Sequence, residues 1–217
     1  MFLAGTPAVE LQAVVATIDG FPVLAGVDVR IEPGEVVLVS GPNGAGKTSL
    51  LRVLAGSLPV AAGSARVLGH DLRADRHGHR SRVAFVSQQT CCYDDLSVRR
   101  NLRLHAAAAN APAQAVAAAM RTLRLDDVAE VAHGRLSTGY RRRCALAVGM
   151  TRHADLLLLD EPHAGLDPEA RMLVDDVVGE ARDRGATVVL VSHELDHARP
   201  LVDREVVVAG GCVTARI

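Results

Sequence analysis

The sequence predicts an α/β fold: a mainly parallel sheet with helices on its faces, an antiparallel β subdomain and an inserted all-helical subdomain. Three observations predict it. Short continuous apolar runs, Val36-Val37-Leu38-Val39, Leu156-Leu157-Leu158-Leu159 and Val188-Val189-Leu190-Val191, have the length and character of strands buried on both faces. Helical patterns follow the first two, the alternation that builds parallel sheets. Between Ser97 and about Arg152 the β-branched runs disappear, and Ala, Leu and Arg dominate in a helical pattern. The length of 217 residues fits one domain over 1–217. Within it we expect an N-terminal β part at about 1–35, a core at about 36–96 and 153–217, and a helical subdomain at about 97–152.

Taken in order, residues 9–31 read as β, with Val27 to Ile31 alternating strictly before the turn Glu32-Pro33-Gly34. A strand at 35–40 leads into the glycine-rich stretch Gly41 to Ser49, and a helix runs from Gly46 to Gly56. Residues 59–70 read as a turn and a short strand. A polar connection at 71–82 precedes the strand from Val83. Its His77-Gly78-His79 could suggest a metal site, but a solvated loop is the simpler reading. Ser137 or Thr138 suits the N-cap of a helix that closes the all-helical part. Asp167-Pro168-Glu169 opens the clearest helix, with N-cap Asp, Pro at N1 and an acid in the first turn. Its apolar positions 170, 173, 174, 177, 178 and 181 keep the 3.6 period, and Gly185 stops it. Strands follow at 187–191, 205–209 and 212–216.

Composition excludes several function classes. A net charge of −1 gives no general attraction to nucleic acid. Cys91, Cys92, Cys144 and Cys212 form no C-x-x-C pair and no disulfide framework, so reduced, inert thiols are expected. The start has no secretory n-region and h-region, and no apolar run approaches the roughly 18–20 residues that span a bilayer. A soluble, cytosolic chain is the expectation.

The chemistry begins at Gly41-Pro42-Asn43-Gly44-Ala45-Gly46-Lys47-Thr48-Ser49, which has the form G-x-x-x-x-G-K-[ST] between a strand and a helix. In that context the glycines let successive backbone N–H groups point into one anion-binding concavity, and the helix adds its positive end. Lys47 should reach the β- and γ-phosphates, and the Thr48 hydroxyl can bind Mg²⁺. Lys47 is also the only lysine in the chain; every other residue of the Lys+Arg total of 24 is arginine. A compact point charge suits a phosphate, and the chain keeps it there alone. Asp160-Glu161 arrive at the end of a buried strand. The first carboxylate can hold Mg²⁺ through water, and the second can orient a water toward a γ-phosphate.

These residues resemble one family, the nucleotide-binding subunits of ATP-binding-cassette (ABC) transporters. The resemblance covers roughly residues 9–213 and rests on motifs in order: the phosphate loop at 41–49, VSQ at 86–88, LSTG at 136–139, LLLLDEP at 156–162, GLD at 165–167 and SH at 192–193. It implies a P-loop NTPase fold with a RecA-like core, ATP and Mg²⁺ as ligands, and ATP hydrolysis coupled to transport. Carried over residue by residue, it implies that Gln88 joins the Mg²⁺ shell with Thr48 and Asp160, with Gln89 as the competing choice. It implies that Glu161 is the general base, that His193 touches the γ-phosphate, and that Asp167 bridges two subunits. Ser137 and Gly139 would contact ATP held by a second ATPase subunit. A separate transmembrane permease would be the other partner, holding the chain on the inner face of the cell membrane, and export of the haem-exporter or small-exporter type is the weaker implication. Four departures stand out. Ile18 occupies the position of the usual adenine-stacking aromatic, with Phe21 nearby; Tyr140 stands where the signature usually has Gln; His163 stands where Thr is common in the strand-end turn; and Arg100 stands where an acid is usual. Of the Arg141-Arg142-Arg143 run, two residues read equally well as a solvated face. A soluble non-transport cassette and a regulatory cassette with little turnover are the competing readings.

Overall fold

The computed structural model describes residues 5–87, 91–112 and 114–216. Its centre is a six-stranded sheet built from β3 (Val36–Ser40), β6 (Val83–Val86), β7 (Leu156–Asp160), β8 (Thr187–Val191), β9 (Arg204–Ala209) and β10 (Cys212–Arg216), in the order β10-β9-β3-β8-β7-β6. All neighbours are parallel except β10, which turns back antiparallel on β9. A second, antiparallel sheet holds β2 (Phe21–Ile31), β1 (Val9–Ile18), β4 (Ala62–Val67) and β5 (His70–Asp71) in that order. The mainly parallel sheet, the antiparallel part and the helical insert are as the sequence predicts.

The continuous apolar runs are explained by the way their residues divide. Val36 and Leu38, Leu157 and Leu159, and Val188 and Leu190 enter one core. Val37 and Val39, Leu156 and Leu158, and Val189 and Val191 enter the other. A strand covered on both faces has no solvent side to mark with polar residues. On the second face lie α1 (Lys47–Leu54) and the antiparallel sheet. On the first lie α5 (Pro168–Asp183) and the helical insert, made of α2 (Val98–Ala108), α3 (Ala115–Thr122) and α4 (Thr138–Thr151). Short α6 (Leu195–Ala198) follows β8 and was not read from the sequence.

One local reading is refined and one is corrected. The β stretch 9–31 is a tight hairpin whose turn, Asp19-Gly20, has φ of 50° and 82° at its two central residues. Positive φ at both positions matches the twist of the flanking strands, and an Asp-Gly pair is the residue choice that permits it. His79 is not in a solvated loop. It is wholly buried, its Nε2 lies 2.8 Å from the Leu54 carbonyl at the end of α1, and burial lowers its pKa. Arg80 donates to the Gly56 carbonyl, two residues further on, at 2.6 Å, so the connection serves as the C-terminal cap of α1. His77 is exposed, as expected of a loop.

The cysteines are free, and among the described residues they form no bonded pair. Burial pushes the Cys92 thiol up to about 11 and the Cys144 thiol up to about 12, so neither carries appreciable thiolate near neutral pH. No described helix is long and apolar enough to cross a membrane.

Candidate nucleotide site

β3, β8 and β7 are neighbours, so their carboxyl ends bring Ser40-Gly41, Ser192-His193 and Asp160-Glu161 to one edge of the sheet. That edge is where open α/β sheets bind ligands. A cavity of about 330 Å³ opens there, lined by Val23, Asn43, Gly44, Ala45, Gly46, Lys47, Thr48, Ser49, Glu161 and His193.

The loop between β3 and α1 takes its course from its glycines. Gly41 has φ 138°, and a Cβ there would collide with the Val208 carbonyl of β9. Gly46 has φ 105°, and its Cβ would stand 2.6 Å from the Val23 carbonyl. Backbone therefore presses on backbone from both flanks, and only glycine fits. Gly41→Ala is expected to destabilise the fold by at least about 2 kcal/mol and to abolish nucleotide binding, as read by thermal unfolding and by a fluorescent ATP analogue.

Lys47 is buried, and its Nζ donates to the carbonyls of Gly41 at 2.8 Å and Pro42 at 3.0 Å. The amine thus spans the loop from inside, with its charge at the cavity. Burial lowers its pKa, while Glu161 and Asp160 pull it back up. The Thr48 hydroxyl donates to Oδ1 of Asp160 at 3.2 Å, which brings two oxygen ligands together beside the cavity. Hard oxygen donors of this kind suit Mg²⁺.

Glu161 has φ 51°, a left-handed conformation that is uncommon for a residue with a side chain. Its backbone N–H donates to Val191 at 2.9 Å, and its Oε2 accepts the His193 backbone N–H at 3.1 Å. His193 Nε2 stands 3.0 Å from Oε1, as an ion pair when the ring is protonated; the ring N–H is not aligned on that oxygen as a hydrogen bond. Burial raises the pKa of Glu161, and the His193 backbone, the His193 ring and Lys47 oppose the rise. The side chain is only 14% exposed, so the carboxyl is both shielded and aimed into the cavity.

What holds the Glu161 turn is Arg142. This residue of α4 is buried, and its guanidinium donates to the carbonyls of Ser87 at 3.0 Å, Asp160 at 3.2 Å, Pro162 at 3.5 Å, and Glu161. Of the arginine run it is the one that is no solvated face; Arg143 lies 5.3 Å from the Tyr140 ring centroid, and Arg141 donates to Gly134 and Leu136 carbonyls. A signal for Arg142 was present. It precedes Ala145, Leu146 and Gly149 by three, four and seven residues, which puts it on the buried face of the helix. Ser40 was also overlooked: its hydroxyl donates to buried Glu205 at 2.5 Å, tying the start of the loop to β9.

Other predicted residues lie elsewhere. Ser137 is the N-cap of α4, accepting the Tyr140 N–H at 3.4 Å, and Asp167 is the N-cap of α5, accepting the Ala170 N–H at 2.7 Å. Ser137, Gly139 and Asp167 share a different cavity of about 170 Å³ and have no lining residue in common with the phosphate-loop cavity. Neither Ile18 nor Phe21 lines the nucleotide cavity, since both sit beside the hairpin tip, where Phe21 is 76% exposed; Val23 lines it instead. Gln88 and Gln89 lie outside the described residues.

A family model described as ABC transporter matches residues 24–164. The chain belongs to the ABC transporter family of ATP-binding domains. The ABC chain is 35% identical over 214 residues to the daunorubicin/doxorubicin resistance ATP-binding protein DrrA of Streptomyces peucetius, covering 97% of this chain and 65% of that protein. It is 40% identical over 168 residues to the cytochrome c biogenesis ATP-binding export protein CcmA of Bordetella bronchiseptica, 76% of this chain and 75% of that one. The ABC fold also appears in a dimeric ATP-binding cassette solved in a post-hydrolysis state with ADP and phosphate, at a TM-score of 0.88 and 22% identity over 96% of this chain and 97% of the other. The chain therefore spans just under two thirds of the DrrA length.

Proposed function

We propose that the chain binds and hydrolyses ATP and that closure of two such cassettes around ATP drives an exporter's separate membrane subunit. The observation that carries the reading is the Glu161 carboxyl, raised by burial and facing the same cavity as the Lys47 ammonium. A base with a pKa moved toward neutrality suits proton abstraction from water. Lys47 and the N–H groups of the loop would hold the phosphates. Thr48 and Asp160, with Gln88, would hold Mg²⁺, which when bound neutralises the phosphate oxygens. His193 would reach the γ-phosphate from beside Glu161. Phe21, two residues along β2 from Val23, would cover the adenine in place of the aromatic that Ile18 lacks.

The separation of Ser137, Gly139 and Asp167 from the phosphate loop supports their use in trans. The free N-terminal end of α4 would meet the γ-phosphate of ATP carried by the second cassette. The names of DrrA and CcmA, a resistance protein and an export protein, support export over import. Through the membrane subunit, the cassette would sit on the inner face of the cell membrane.

Gel filtration of Glu161→Gln tests the composite site. The variant is expected to run as a monomer alone and as a dimer with Mg-ATP, because closure needs the γ-phosphate and hydrolysis is blocked. A Glu161→Gln chain that binds ATP and remains monomeric would remove the trans role of Ser137 and Gly139 in this chain by itself.

A further inference from the structure

The turn that carries Glu161 ends in His163, which is fully buried. Its ring meets two side chains from other segments: Asp175, in the middle of α5, and His197, in α6. His163 Nε2 lies 3.1 Å from Asp175 Oδ1, and His197 Nε2 lies 3.7 Å from Asp175 Oδ2. The two imidazoles stand edge to face with centroids 5.3 Å apart. The three candidate ligand atoms all lie within 4.8 Å of one another, and this is the one such group of His, Cys, Asp and Glu among the described residues.

As a purely structural ion-pair cluster, this arrangement is poorly satisfied. His197 Nε2 is buried and lacks a hydrogen-bond partner, and so does His163 Nδ1. Each such orphaned group costs about 1–3 kcal/mol. Both Nε2 atoms face one carboxylate, yet only His163 is close enough to hydrogen-bond it, and His197 stands off at 3.7 Å. Burial lowers the pKa of His163, against the pull of Asp175, and so favours the neutral imidazole, the form that ligates metals. A divalent cation at the meeting point of the three side chains would give His197 Nε2 the partner it lacks, take the His163 Nε2 lone pair and match the carboxylate charge.

We propose that His163, Asp175 and His197 form a binding site for a divalent cation of the zinc class. Two imidazoles and one carboxylate fit that choice, because Mg²⁺ takes oxygen ligands and keeps its waters. Zinc–ligand bonds of about 2.0–2.2 Å in a tetrahedron set neighbouring ligand atoms about 3.3–3.6 Å apart. His163 Nε2 stands 3.1 Å from Oδ1 and His197 Nε2 3.7 Å from Oδ2, each near that spacing but on its own carboxylate oxygen, so a set spread within 4.8 Å closes on one cation by a small side-chain adjustment. The His197 side chain is 41% exposed although its Nε2 is buried, so a cation could enter from the solvent side of this ring. Glu194, the other nearby carboxylate, is already held by Arg171 at 2.9 Å.

The site is distinct from the Mg²⁺ position beside Thr48, yet it is connected to the nucleotide cavity through the chain. His163 follows Glu161 by two residues, and His197 follows His193 by four. A bound cation therefore joins the two segments whose side chains meet at the Glu161–His193 contact, and it staples both to α5. Its occupancy would fix how far the His193 segment can move from the Glu161 turn.

The test uses the nucleotide-free, chelator-treated chain and Co²⁺ as a visible stand-in for Zn²⁺, so its result does not depend on whether the chain hydrolyses ATP. Titration is expected to give d–d absorption that saturates at one equivalent, shows no thiolate charge-transfer band, and disappears on addition of Zn²⁺. His197→Ala, at a half-exposed position, is expected to keep the wild-type circular dichroism and to lose the saturable signal. Asp175→Asn is expected to weaken it by at least roughly tenfold, since even losing an outer partner of a ligand costs that much. Absence of a saturable signal in wild type overturns the proposal, as does retention of full binding by His197→Ala. A thiolate band that vanishes in a Cys91→Ser, Cys92→Ser chain also overturns it, by moving the metal to the cysteine pair.

Discussion

Glu161→Gln is expected to lower steady-state phosphate release by roughly 10²–10⁴-fold while leaving ATP binding within a few-fold of wild type. Glutamine keeps the shape and can still accept the His193 N–H now bonded at 3.1 Å, so the turn is preserved and only the base is lost. The pH profile of wild-type turnover carries the same argument. The active form of a general base is deprotonated, and burial moves the Glu161 pKa upward. The acid limb of kcat should therefore fall off at a higher pH than an ordinary solvated carboxylate would give. His193→Ala removes the ring that helps hold the carboxylate charged, while its backbone N–H remains. That variant's acid limb should move further up in pH. A profile whose acid limb stays at the value of a solvated glutamate in both chains would show that Glu161 is not the titrating base.

How much of this site was legible in the sequence depended on range. The phosphate loop, the strand ends at Asp160 and His193, and the helix opening at Asp167 are written in contiguous residues. Each is local: a glycine pattern after a strand, four leucines before two acids, a cap followed by proline. The Asp19-Gly20 hairpin turn was equally local and was passed over, because the alternation on either side was read as separate short stretches. Contacts between distant segments are a different matter. His79 capping α1, Ser40 bonding Glu205 and Arg142 holding the Glu161 turn each join segments that periodicity can place on a face but cannot pair. For Arg142 the helical period points inward, yet an arginine on an inward face reads as a misfit until its acceptor carbonyls are known. Val23 is similar. Nothing in a valine marks it as a cavity wall, and the hairpin register that puts it there is a property of the folded sheet.

Arg142→Ala is the substitution in which stability and turnover should part company. The guanidinium is buried, and its surroundings lower its pKa through desolvation, only partly offset by Asp160 and Glu161. Burying it is costly, so removing it regains some of that cost while leaving the carbonyls at Ser87, Asp160, Glu161 and Pro162 without their donor. Charged hydrogen bonds are worth about 1.5–3 kcal/mol each, but these carbonyls retain partial partners; Glu161 O, for one, accepts from Ala164 at 3.2 Å. The net expectation is a loss of about 2–4 kcal/mol in urea unfolding. Turnover should suffer more than that figure suggests. Without the fork, nothing from α4 opposes relaxation of Glu161 out of its φ of 51°, and a carboxyl displaced by an ångström costs roughly 10²-fold. Arg142→Met restores packing and removes the buried charge, so it should recover part of the stability and none of the rate. Arg142→Lys keeps the charge but cannot reach several carbonyls from one planar group, and it should also fail to restore the rate. Phosphate release measured well below each variant's unfolding midpoint separates the two effects. If Arg142→Met hydrolyses ATP as fast as wild type, Arg142 merely fills space under the strand ends and the Glu161 turn holds its conformation unaided.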